Sequence, residues 1–548
     1  MHFANPISKL FGGLTCLLTA TAYAELPAAW APTTPFTLEQ GQLVEPSPAR
    51  APPEGFYLDP ERGRAPFQPE YDRWFGDERR PPHYGRTALE LAGVLAVGTT
   101  YYWIVSDPNK VDWDYVDIGD RATHVDVKFD NNMFRTNFLL HPLAGTMTYW
   151  LSRVNGLDIY WATANSALSS ATFEFVLEWL EKPSINDLFV TPVGGIAGGE
   201  FFFHLGDYLN SAFGRDNAFQ RTLALSLGLP EAIHHPLDGV ESAPLATPDA
   251  LGYSSAYWHR FGLGFGAANV TNDSGARAEV YDLVFDVDLV AMPGFLRPGT
   301  FAVAFHQGNF TEGHLRTSVN GGLLRDADLR IAANLVGHYA QDWQGTPAAL
   351  PWEVPGGGRG SASMLAASVE MRYVDRWLLG RRDQFAIFHF LGPSAKAWLA
   401  PGGGLMAKAE GRLHLDLAGI RSPAYEKLVA EDGAVGTKSV LQLQNYYQGL
   451  GASGRLSGSL GFAGVEIGSY VAYGTYRSID GLDRYYSPRD ATNTDQILEL
   501  GVGAKFEPPA EPLMLRIGWD EIQHRSAMGT VSVPFVDRRI SAHAAIVF

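Results

Sequence analysis

The sequence predicts an α+β protein: a C-terminal transmembrane antiparallel β-barrel of about twelve strands, with an N-terminal helical domain that plugs or caps it. Three observations carry this expectation. The last nine residues alternate, with Ile540, Ala542, Ala544, Ile546 and Phe548 on one face and Ser541, His543, Ala545 and Val547 on the other. Such a strand offers one side to lipid and the other to a lumen. The first 24 residues read as a secretory signal, and 59 Gly and 23 Tyr with few long apolar runs suit membrane β structure better than a helical transporter.

In the signal, Lys9 supplies a weak positive region and residues 10–18 an apolar stretch. Ala22-Tyr23-Ala24 sets cleavage after Ala24. The one cysteine, Cys16, lies inside this segment, so the mature chain has no disulfide or thiol chemistry. The net charge of -17 argues against a nucleic-acid partner, whose phosphates call for clustered Lys and Arg. An exported barrel belongs in the outer membrane, surrounded by its lipid. Phe548, the aromatic end of the last strand, is the feature that barrel-assembly machinery would read.

Residues 25–86 are rich in proline (Pro48, Pro52, Pro53, Pro60, Pro66, Pro69, Pro81, Pro82) and form an extended periplasmic tail, free to meet a periplasmic partner. Residues 87–230 form the helical domain. Residues 89–105 are long and apolar enough for a spanning helix. A spanning helix this early would strand a downstream barrel at the inner membrane, so a buried helix against or inside the barrel is expected instead. A second helix covers 136–153, with Thr136 as N-cap and Gly156 as its stop. A third covers 166–181, and a fourth 184–209, with Ser184 as N-cap and Asp187 in an acidic variant of the capping box. Pro192 should kink or split that helix. Residues 215–229 form a weaker fifth helix.

Residues 250–548 read as strands. The polar faces of these strands assign to the lumen Asp282, Asp286, Asp288, Arg330, Glu370, Arg372, Lys408, Glu410, Arg412, His414 and Asp416. Both signs are mixed there, which points to a network of ion pairs bracing a closed or plugged barrel.

Chemistry is sought in the helical domain. Glu200, His204 and Asp207 recur at i, i+4 and i+7 on one helix face, a weak metal-ligand set. No paired metal motif accompanies them, so neither a metal nor a cofactor is expected. Glu174, Glu178 and Glu181 stack similarly on the preceding helix. A hydrolase would need His141 or His204 beside Ser166, Ser170 or Ser184, and no Gly-x-Ser-x-Gly elbow is present. Mutual satisfaction of polar groups in an apolar bundle explains the same residues without any reaction.

Asn137-Phe138-Leu139-Leu140-His141-Pro142-Leu143-Ala144-Gly145, then Tyr149, Arg153 and Gly156, Glu174-Phe175, Pro183-Ser184-Ile185-Asn186-Asp187-Leu188, Thr191-Pro192 and Gly199-Glu200 form an ordered series. It resembles the bacterial family known as domain of unknown function 3943, over residues 131–209. The resemblance implies an exported protein of Gram-negative bacteria with a β-rich C-terminal region. It brings no reaction, ligand or cofactor. It marks His141, Arg153, Glu174, Asp187, Glu200 and, beside them, His204 as the residues to watch, and an enzyme is the less expected outcome.

The functional expectation is an envelope role, with passage or export of a lipid, polysaccharide or small polar solute through a helix-plugged barrel. The alternatives are a lipid hydrolase that uses the His/acid cluster, and a structural scaffold that binds a periplasmic partner.

Overall fold

A computed structural model describes residues 81–105, 119, 126–211, 218–239, 253, 257–292, 294–296, 299–344, 358–432, 440–479, 492–508 and 512–547. The signal segment with its cleavage point, nearly all of the proline-rich tail, and Phe548 lie outside the described residues.

The strands are β1 (Trp258–Asn272), β2 (Arg277–Val290), β3 (Gly299–Phe305), β4 (Phe310–Asn320), β5 (Leu323–Gln344), β6 (Arg359–Leu378) and β7 (Arg381–Gly402). They continue with β8 (Leu405–Arg421), β9 (Tyr446–Phe462), β10 (Val465–Ser478), β11 (Asn493–Phe506), β12 (Leu513–Met528) and β13 (Val531–Val547). Every pairing is antiparallel, and β13 meets β1 with Gly262 opposite Val547, while β5 meets β6, so the sheet closes on itself.

The ring has twelve positions although the sheet has thirteen strands. β3 and β4 lie end to end along one edge of β5, opposite 337–343 and 323–334 respectively. They are one strand interrupted by residues 306–309. The expected number of strands is met, and several are longer than a membrane crossing needs, with β5 and β7 at 22 residues each.

Which face is the lumen follows from bonds between strands that are not neighbours. Arg372 on β6 bonds Glu499 on β11, Arg539 on β13 reaches Asp326 on β5, and His524 on β12 reaches Asp383 on β7. Such pairs can meet only across the interior. The opposite face carries exposed Leu413, Leu415, Leu456, Leu460, Ile467, Ile517, Ile540 and Ile546. A belt of this kind fits hydrocarbon.

The helices are α1 (Tyr84–Thr100), extended by a π turn Tyr101–Val105, and α2 (His141–Val154), preceded by a π turn Thr136–Leu140. α3 (Ile159–Thr172) runs into a π turn Phe173–Leu177. α4 (Ile185–Leu209), α5 (Ala218–Leu227) and α6 (Leu229–Asp238) complete the bundle. Ser184 caps α4, its hydroxyl accepting from Asp187 N, and Gly156 stops α2 at φ +81°.

Several expectations are corrected. α4 is not split at Pro192, because a helix buried on most sides has neighbours that hold it. Thr136 does not cap α2; helical backbone already begins at Phe134, ahead of the π turn. α3 starts at Ile159 on the N-cap Asp158, and its helical part ends at Leu177, short of Glu178 and Glu181.

The largest correction concerns where the bundle sits. It does not plug the barrel. α4 packs on β4, β5, β6 and β7, and the residues it and α2 meet are on the outer face: Phe388, Leu417, Met371, Ile331, Val287 and Leu289. Tyr208 stacks near His259 and Phe261 on β1, and Phe138 lies on Phe388 and against Gly419. These outer positions continue directly into the exposed apolar belt on the same strands. The bundle's far side is apolar as well, exposing Tyr160, Trp161, Leu168, Phe175 and Val176. The apolar segment 89–105 is likewise not buried: only Thr87 and Leu91 of α1 are, whereas Leu89, Val97 and Ile104 are exposed. Its hydropathy suits lipid contact rather than a protein core.

A different element folds into the interior of the barrel. After β8 the chain forms α7 (Pro423–Asp432) and α8 (Val440–Gln444), and α7 packs on β12 and β13 across the ring. Ala424 and Tyr425 join Val374, Phe385, Ile387, Ala418, Ile420, Tyr447, Tyr476, Ile497 and Ile522 in an apolar layer at this end.

Candidate functional site

The residues singled out in the helical domain separate into three groups. In the first, α2 and α4 lie so close at Gly145 that a Cβ there would collide with the Thr191 carbonyl oxygen. This approach brings Arg153 to Glu200. Arg153 Nε donates to Glu200 Oε2 at 3.0 Å and Nη2 to Oε1 at 3.1 Å, with Tyr149 Oη donating to Oε2 at 2.8 Å. His204 Nε2 lies 3.2 Å from Glu200 Oε1 and 2.9 Å from the Gln307 carbonyl oxygen. Four polar side chains thus satisfy one another between the bundle and the barrel wall.

In the second group, His141 Nε2 is 3.7 Å from Asp187 Oδ2. Asn186 Nδ2 donates to Asp187 Oδ1 at 2.8 Å and to Asp130 Oδ1 at 3.1 Å. Glu174 Oε2 accepts from Ser184 N at 2.7 Å. The ligand atoms of Asp130, His141 and Asp187 lie within 4.8 Å of one another. Asp130 was not among the expected residues, since a lone Asp in a polar stretch carries no spacing signal.

The third group overturns the expected metal trio. Asp207 turns away from Glu200 and His204 to bond Tyr257 and to lie 3.2 Å from His235. Adjacent turns of one helix bring the first two together, but the packing of α6 takes the third.

The hydrolase arrangement is not formed among the described residues. Ser170 donates to the Asp187 carbonyl at 2.8 Å, Ser184 to Asn186 Oδ1 at 2.7 Å, and Ser166 contacts the Gly145 carbonyl at 3.4 Å. Neither His141 nor His204 has one of these hydroxyls as a partner.

Inside the barrel the expected lumen residues stand on the interior face. Asp282 meets Arg539 and lies 2.9 Å from His543, Asp286 lies 2.5 Å from His314 on β4, and His389 lies 2.7 Å from Asp416. Arg372 bonds Asp328 at 3.2 Å, Arg412 bonds Glu370 at 3.0 Å and also Glu410, and Arg330 is 3.8 Å from Glu370. His414 is 3.0 Å from Ser368 Oγ, and Lys408 pairs with Glu466 at 3.2 Å. Below these layers, at the end where β13 finishes, is a cavity of about 480 Å³. Asp288, Arg330, Lys408, Arg455, Arg516 and Trp258 are among the residues that line it. Arg455 lies over the Tyr470 ring at 4.1 Å, and neither it nor Arg516 has an ion-pair partner among the described residues. Neither was legible as special in sequence, since every lumenal arginine looks alike there.

No curated protein matches the chain. Among solved structures it is similar to the translocator domain of the autotransporter NalP from Neisseria meningitidis, at 10% identity and a TM-score of 0.19, over 53% of this chain and 88% of that one. It is also similar to a loop-deletion form of OmpT, an outer membrane protein of Vibrio cholerae, at 10% identity and a TM-score of 0.17, over 54% and 100%. A third is the β domain of the Bordetella autotransporter BrkA, at 12% identity and a TM-score of 0.20, over 53% and 99%. Residues 126–228, which build α2 to α5 and hold the first two polar groups, match the model of the family described as Domain of unknown function (DUF3943).

Proposed function

We propose that the protein is an outer-membrane barrel that passes a small polar solute, with the β8–β9 connection as its gate. The observation that carries this reading is the pairing of a polar cavity at one end of the lumen with a helix, α7, folded into the other. Arg455 and Arg516 give a solute two positive groups that no carboxylate among the described residues already holds. The belt of exposed Leu and Ile supports residence in a bilayer. Phe548 is proposed as the residue offered to the assembly machinery, and the proline-rich tail as the segment that meets a periplasmic partner.

A second reading is favoured by the ion pairs between cavity and α7, which brace the lumen from β6 to β11 and from β13 to β5. On that reading the barrel is a closed post that anchors the bundle in the membrane.

Planar-bilayer conductance of the refolded protein, beside a variant in which 423–444 is replaced by a short Gly-Ser turn, separates them. Gated passage requires a nearly silent full-length protein and a conducting variant. If both fold and both stay silent, passage is abandoned and anchoring stands.

A further inference from the structure

We propose that Asp130, His141 and Asp187 form a binding site for a borderline divalent metal ion, Zn²⁺ or Mn²⁺. The ion would tie the chain before α2 to the start of α4. One ligand atom from each residue lies within 4.8 Å of the other two, so that a small closing movement would bring all three onto one ion at roughly 2.0–2.2 Å.

Charge supports the site independently of spacing. Asp130 and Asp187 are 5% and 2% exposed, and neither has a Lys or Arg ion-pair partner among the described residues. A third carboxylate, Glu174, is buried beside Ser184 at the same end of α4. Adjacent buried carboxylates stay charged only beside a compensating positive charge, and one imidazole is too little for both Asp130 and Asp187.

The surroundings are arranged as around a metal. Asn132, Asn137 and Asn186 all donate amide hydrogens to Asp130, and Asn186 also donates to Asp187, which fixes how both carboxylates are turned. Asn137 is fully buried, and while its Nδ2 serves Asp130 and Tyr446, its Oδ1 has no hydrogen-bond partner. That oxygen belongs to the residue whose amide nitrogen holds Asp130, and it is a buried acceptor left without a donor. His141 keeps 20% of its side chain exposed, which leaves an entry path.

The donor set selects the ion. One imidazole with carboxylate and amide oxygens suits Zn²⁺ or Mn²⁺, whereas Ca²⁺ asks for six to eight oxygens and no nitrogen. The role is structural: Lys128 bridges to Ser184 as a parallel pair only two residues before Asp130, so the ion would fasten a junction that the backbone already begins.

The test uses the full refolded protein in detergent. After equilibration with Zn²⁺ or Mn²⁺ and gel filtration, metal analysis should find about one equivalent per chain. His141→Gln and Asp187→Asn should each weaken binding by roughly 10–100-fold, while Asp286→Asn in the lumen should leave it unchanged. Co²⁺ provides a measurement that needs no variant, because a nitrogen ligand changes its visible bands from those of the aquo ion. Retention that the His141 and Asp187 variants match, or an unaltered Co²⁺ spectrum with the wild-type protein, overturns the proposal.

Discussion

Arg153 and Glu200 face each other through two parallel hydrogen bonds, 3.0 Å and 3.1 Å long, at a point where α2, α4 and the outer wall of the barrel converge. Both side chains are almost completely buried, and Tyr149 and His204 take up the remaining contacts of the carboxylate. Glu200→Gln leaves the guanidinium without its counter-charge and is expected to cost about 3–5 kcal/mol. Arg153→Met combined with Glu200→Leu removes both charges and is expected to cost less than either single change. Urea unfolding in detergent, followed by tryptophan fluorescence, compares the three. A double mutant less stable than both singles would show that the pair is held for more than charge balance.

Gly145 allows α2 and α4 to touch, and the Thr191 carbonyl occupies the space a side chain would need. Gly145→Val is expected to destabilise the bundle by about 1–3 kcal/mol or more through overpacking. The barrel should survive, so the heat-modifiable gel mobility of the protein should persist while proteolysis within 126–211 accelerates. Unchanged proteolysis would mean that the helices separate without loss.

The bundle's outward face is expected to lie in hydrocarbon. Leu168→Arg should therefore cost about 2–4 kcal/mol in lipid vesicles, similar to Leu415→Arg on the free barrel wall. Both leucines are well exposed, at 65% and 68%. A nitroxide placed at either position should be relaxed by oxygen more than by a water-soluble nickel chelate. Nickel-dominated relaxation at 168 alone would place the bundle in water.

Arg455→Ala and Arg516→Ala each remove one positive charge from the cavity lining without freeing a carboxylate from an ion pair. In the variant that lacks 423–444, either change should move the reversal potential under a KCl gradient toward cation preference, and the two together further. No movement would mean that the permeating ions bypass this cavity.

The barrel was legible in the sequence because its signal is local. Arg539, Ser541 and His543 alternate with Ile540, Ala542 and Ala544, and a period of two states which residues share a face whatever the register. Ser184 and Gly156 were legible for the same reason, since a cap and a stop act on adjacent backbone. The position of the bundle was not legible. An apolar helix face looks the same whether it meets a lumen, a wall or lipid, and only Phe388 and Leu417 facing away from Arg372 and Arg412 reveal which. Nor was the helix that folds into the barrel interior. α7 is a short polar-looking helix whose Ala424 and Tyr425 become buried only because strands far away in sequence curve round to meet them. The expected grouping of Glu200, His204 and Asp207 failed at its last member, for Asp207 was claimed by Tyr257 and His235 from segments that no helical period could anticipate.

The interruption between β3 and β4 ties the building of the wall to its surroundings. Gly308 N donates to the Leu335 carbonyl at 2.9 Å, and the neighbouring Gln307 carbonyl is met by His204 from the outer helix, 2.9 Å away. Gly308 can sit there because, at φ +65°, it adopts a backbone that side chains disfavour and leaves room for Glu200. A carbonyl turned out of a sheet in the apolar belt would otherwise go unsatisfied. The seam along β5 is therefore sealed from both sides at once. The last polar group of that wall is thus answered from outside it, by a helix that comes earlier in the chain than any strand.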